Sequence, residues 1–194
     1  VEEEEEGQKK IGAARALELR EMRMARWQRT REKLRGLVRL ADVRLICSAI
    51  EATALQPEKQ LQGCAALANM ACHHKGNPAI IGQAGGVLQL CALMAQTPDN
   101  ARVQEGALRA LANLLCEPSC VDLAIKSEGL DRLCEAMRSH ADDVGVQLES
   151  CRAIANMSKE HQGCGELLLA VGAAELLVAA MDAHPHAIPV QREA

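Results

Sequence analysis

From about residue 41 onward, the apolar positions of this chain recur with helical spacing. In RVQEGALRALANLL (102–115), Val103, Ala107, Leu108, Ala110, Leu111 and Leu114 gather on one side of a helix, and its many alanines imply that another helix packs close. Asn113 is the polar exception inside that run. Two other stretches superpose on it without gaps, KQLQGCAALANMA (59–71) and VQLESCRAIANMS (146–158). The register brings together Gln60, Gln104 and Gln147, then Leu67, Leu111 and Ile154, then Asn69, Asn113 and Asn156, at spacings of 44 and 43 residues. A fixed period of this length is the signature of a repeat architecture.

A second amphipathic element repeats in phase with the first. ADVRLICSAI (41–50), GGVLQLCALM (85–94) and EGLDRLCEAM (128–137) place Cys47, Cys91 and Cys134 at one position, with Gly86 over Gly129. GAAELLVAAM (172–181) extends the series, with Gly172 read over Gly129. Short apolar pieces of about two turns, NPAIIGQAG (77–85) and CVDLAIKSEG (120–129), precede the later copies. Each unit therefore reads as short helix, glycine turn, helix, polar loop and longer helix. The loops TPDN (97–100) and HADD (140–143) offer Asn or Asp as N-caps, and Pro78 suits a first helical turn. The expected units are a partial one at 41–76, full ones at 77–119 and 120–162, and one at 163–194 that reaches only the start of its last helix. One helix pair of this size cannot cover its own apolar face, so the units must stack.

Residues 8–40 differ in kind. They read as one long basic helix, broken near Gly36, with an interrupted stripe of Ile11, Leu17, Met24, Trp27, Leu34 and Val38. The segment suits a cap on the first unit or a docking helix, in which Arg23, Arg26, Trp27 and Arg31 are the candidate contacts. Residues 1–7, with their run of five glutamates, read as an acidic tail without stable structure.

Composition sharpens this picture. Trp27 is the sole aromatic residue, so Ala, Leu, Met and Cys must fill the core, which favours an all-α fold over a β-rich one. Residues 1–40 carry eleven Lys or Arg against eight Glu, whereas 41–194 carry eleven basic against eighteen acidic residues. That balance argues against a nucleic-acid surface on the main body. The nine cysteines are odd in number and sit mostly inside helical patterns, which points to buried thiols in a reducing, cytoplasmic setting. No apolar run is long enough to cross a bilayer as a helix.

The copies VQEGALRALANLL, VQLESCRAIANMS and KQLQGCAALANMA, each preceded by a glycine-led helix such as EGLDRLCEAM, resemble armadillo repeats. The resemblance covers residues 41–194. It implies three helices per unit, an armadillo-type right-handed superhelical solenoid, and third helices lining a concave face. It also implies that the recurrent Asn meets the backbone of an extended peptide, which here singles out Asn69, Asn113 and Asn156. Nuclear-transport adaptors of this kind carry Trp one turn before that Asn. Ala65, Arg109 and Arg152 stand there instead, which counts against recognition of a basic import signal. Arg109 and Arg152 share a helix face with Asn113 and Asn156, and these four residues, with Asn69, form the expected groove for an extended or acidic partner segment.

Catalysis and metal binding find no support. Cysteines that alternate with Leu108 at one helical position, Cys64 and Cys151, read as core. Cys116 and Cys120 lack the two-residue separation of a zinc pair and fall in an expected loop. No cofactor is implied. The sequence thus predicts a non-catalytic protein–protein interaction scaffold. The alternatives are a structural subunit of a cytoskeletal or axonemal assembly and the regulatory repeats of a larger multidomain enzyme.

Overall fold

The computed structural model describes residues 36–161 and 163–194, together with Met22. The acidic tail and most of the basic segment, including Arg23, Arg26, Trp27 and Arg31, lie outside the described residues. Gly36 turns with φ of 90°, at the position where the sequence predicts a break. Among the described residues from Val38 on, the chain is all-α, with eleven helices and no strand.

The helices follow the predicted order. The first unit contributes α1 (Leu40–Ala52) and α2 (Pro57–His73). The second contributes α3 (Asn77–Gln83), α4 (Gly86–Gln96) and α5 (Ala101–Leu114); the third contributes α6 (Pro118–Lys126), α7 (Gly129–Ser139) and α8 (Val144–Glu160). The last has α9 (Cys164–Ala170), α10 (Ala173–Ala183) and α11 (Ile188–Glu193). Asn100 and Asp143 cap α5 and α8 by accepting from the amides of Val103 at 3.2 Å and Val146 at 3.0 Å. Pro57, Pro78, Pro118 and Pro189 all sit in first turns, where no helical amide partner is lost.

The third helices make the most extensive contacts, α5 packing between α2 and α8. Ala107, Ala110 and Ala112 are fully buried there beside Leu108 and Leu114. Small side chains at this seam let the helices approach closely, and Gly106 is the limiting case. A Cβ on Gly106 would lie 2.9 Å from Leu61 Cδ2 of α2. Burying a side chain such as Leu108 contributes about 1.5–3 kcal/mol.

The recurrent glutamine proves to be a latch inside each unit. Gln104 Nε2 donates to the carbonyls of Met94 (2.8 Å) and Thr97 (2.9 Å), tying the first turn of α5 to the end of α4. Gln147 repeats this with Met137 and His140, and Gln191 with Met181 and His184. Gln60 departs from the pattern. It makes one bond of 3.3 Å to Ala54, while the corresponding carbonyl of Ile50 accepts from the Thr53 hydroxyl at 3.1 Å.

The same latch corrects one register. Since Met181 stands where Met137 does, Gly172 corresponds to Glu128 and Gly85, one residue earlier than the sequence alignment over Gly129 assumed. All three have a left-handed backbone, with φ of 93° at Gly85, 58° at Glu128 and 78° at Gly172. The loop expected for CEPSC is also corrected. Pro118 starts α6, so Cys120 is a buried first-turn residue whose Sγ donates to the Pro78 carbonyl at 3.2 Å.

Candidate partner-binding face

On the outward side of α2, α5 and α8 the five singled-out residues occupy successive rungs, with different surroundings. Asn113 Nδ2 donates to the Ala68 carbonyl of α2 at 3.2 Å, and Asn156 Nδ2 to the Ala112 carbonyl of α5 at 2.8 Å. In both cases the acceptor is the residue just before the preceding unit's Asn. The ladder is thus first a clamp between stacked helices, binding each third helix to its predecessor. Asn69 is exposed, and its amide makes no side-chain hydrogen bond among the described residues.

The two arginines converge on a residue that periodicity does not reveal. Glu149 Oε1 accepts from Arg109 Nε at 3.2 Å across the α5–α8 seam, and its Oε2 accepts from Arg152 Nη1. Arg152 Nη2 continues to Asn113 Oδ1 at 3.0 Å, while Arg109 Nη2 also pairs with Glu105. The Glu149 side chain is only 8% exposed, whereas that of Arg109 is 48% exposed. Both guanidinium groups are therefore engaged: two arginines face two carboxylates, and the cluster is close to neutral. A carboxylate buried to this degree requires such partners. Glu149 escapes a repeat search because its counterparts are Gln62 and Gly106.

A second ladder was also invisible to the pattern. His140 Nε2 donates to the Pro98 carbonyl at 2.7 Å and His184 Nε2 to that of Ala141 at 2.8 Å, joining the loops of neighbouring units. Thr97 occupies the same position one unit earlier, so the histidine recurs only twice.

The cysteines behave as core. All nine are free, and seven are buried. Burial pushes the thiols of Cys64 and Cys120 up to about 12 and that of Cys151 to about 11, the opposite of an activated nucleophile. Among the described residues no group of three or more His, Cys, Asp or Glu side chains is placed to hold a metal. No single described helix is long and apolar enough to cross a membrane.

The helix order, the glutamine latch and the asparagine clamp all centre on α3, α4 and α5, and the Armadillo/beta-catenin-like repeat family model matches residues 74–116, which span those helices. Over those residues the chain is similar to an armadillo repeat. No curated protein and no solved structure matches it. Arg109 and Asn113 lie within the matched armadillo repeat. Asn69 lies before it, on the third helix of the preceding unit, and Arg152 and Asn156 lie after it, in a unit with the same three-helix order.

Proposed function

We propose that this chain is a non-catalytic scaffold that binds an extended segment of another protein along the row of third helices, the concave face that the armadillo likeness implies. The observation that carries the reading is the contrast along that row. Asn113 is bonded on both its amide nitrogen and its oxygen, while Asn69 one rung away is exposed with both ends unpaired. An amide of that kind can donate to and accept from the main chain of an extended peptide. Arg109, half exposed and one turn before Asn113, flanks the same step from α5. Ala65, at the corresponding place on α2, leaves room there for a partner side chain.

The test starts from affinity capture with the full chain, followed by mass spectrometry and a binding titration with the partner so found. Changing Asn69 and Arg109 together to Ala is expected to weaken that binding 10-fold or more, about 1.4 kcal/mol, with the helical CD spectrum unchanged. Undiminished binding by the double variant would reject the groove as the contact surface.

A further inference from the structure

We infer that Arg109, Arg152 and Asn113 form a carboxylate-binding site that the chain fills with its own Glu149, so that this step of the third-helix face excludes acidic partner side chains. The inference narrows the binding proposal by fixing the partner's charge, and rests on it only for that consequence; the site itself stands on separate geometry.

Each part of a carboxylate clamp is present. Two guanidinium groups from adjacent third helices each hold one carboxylate oxygen, Arg109 Nε on Oε1 and Arg152 Nη1 on Oε2. Asn113 Oδ1 holds the other Arg152 nitrogen at 3.0 Å and fixes that group in place. The occupant reaches the clamp because α8 carries Glu where α5 carries Gly106 and α2 carries Gln62. The clamp does not recur at the preceding step, since Ala65 replaces the arginine on α2. Charge-assisted bonds of this type are the strong ones, and planar guanidinium groups select carboxylates.

Self-occupation decides what the face can recognise. An intramolecular carboxylate competes at an effective concentration of millimolar or more, and here it is also shielded from solvent. An incoming aspartate or glutamate must displace it while also meeting Glu105, which pairs with Arg109 as well. Such a side chain therefore gains no net ion pair. A partner residue facing this step is not acidic, and the partner's main chain is read at the neighbouring Asn69.

The experiment titrates the full chain with end-blocked hexaglutamate at low salt. The unmodified chain is expected to show no saturation up to about 1 mM, and Glu149→Gln to bind at least about 10-fold more tightly. Adding Arg152→Met to Glu149→Gln is expected to abolish the gain. Tight binding by the unmodified chain overturns the inference, as does a folded Glu149→Gln chain without any gain. If Glu149→Gln proves unfolded by CD, Glu149→Ala serves in its place, because it also empties the clamp and puts a strong helix former in α8. Absence of a gain there is equally fatal. Because the probe is a peptide of known composition, the outcome is independent of whether the Asn69 and Arg109 variant loses its partner.

Discussion

At φ of 58°, Glu128 stands in the left-handed region that Gly85 and Gly172 occupy in the units on either side. For a residue with a Cβ that conformation costs roughly 1–2 kcal/mol, and glycine avoids it. Nothing lies within 4 Å of a Cβ built on Gly85, so Gly85→Ala isolates the backbone effect. Gly85→Ala is expected to lower stability by about 1 kcal/mol. Glu128→Gly is expected to leave stability unchanged or raise it by up to about 1 kcal/mol, since the lost Arg132 pair is largely exposed. Urea midpoints at constant slope measure both, and a clear loss in Glu128→Gly would show that the ion pair outweighs the strain. The same slot shows where reading single residues stops. Two adjacent positions, 128 and 129, compete for alignment with Gly172, and glycine at the second is the more obvious match. The glutamine latch and the backbone angles together decide for 128. Glu149 was illegible for a related reason, since a residue that occurs once in three registers gives no periodic signal.

Between the helices, the recurrent polar residues were legible as positions but not as partners. The sequence registers Gln60, Gln104 and Gln147 together, and all three are buried, yet they are not energetically equal. Gln147 satisfies two carbonyls at 2.9 and 3.0 Å, so Gln147→Leu strands the buried Met137 carbonyl and also frees that of His140. A cost of about 2–3 kcal/mol is expected in chemical denaturation. Gln60 makes one long bond to the exposed Ala54, and its Oε1 is buried without a partner. Gln60→Leu is therefore expected to change stability by no more than about 0.5 kcal/mol, or to raise it. Equal losses at the two sites would refute this ranking of the latches. The helices themselves were legible because spacing, prolines and capping residues agree, as at Asn100 and Asp143. CEPSC misled because its first turn holds two polar residues and a proline, the composition of a loop, while Cys120 is anchored by a carbonyl from the previous unit.

Across the whole stack, with almost no aromatic side chains, buried thiols run through every unit, from Cys47 to Cys164. Only Cys72 and Cys116 are exposed, so a thiol reagent is expected to label those two in the native chain and the other seven on unfolding. Mass spectrometry of the alkylated chain reads this directly. The raised thiols also set a pH dependence. In the unfolded chain a cysteine loses its proton near about 8.5, whereas Cys64, Cys120 and Cys151 keep theirs until about 12, 12 and 11. Above the first value the unfolded state binds fewer protons than the folded one, so stability falls as pH rises. Unfolding midpoints are expected to be level from about pH 6 to 8 and to drop between about 9 and 11. A level profile through that upper range would mean that the thiols ionise without opening the core. Five side-chain bonds between units share a direction that bears on how such a chain is made, whereas those from Arg138 to the Val171 carbonyl and from Arg109 to Glu149 run the other way. Asn113 donates to Ala68, Asn156 to Ala112, His140 to Pro98, His184 to Ala141 and Cys120 to Pro78. In each pair the acceptor is the earlier residue, by roughly one unit. A chain leaving the ribosome N-terminus first therefore exposes a finished set of backbone acceptors before the matching donors have been synthesised, and each new unit can dock onto a template already in place.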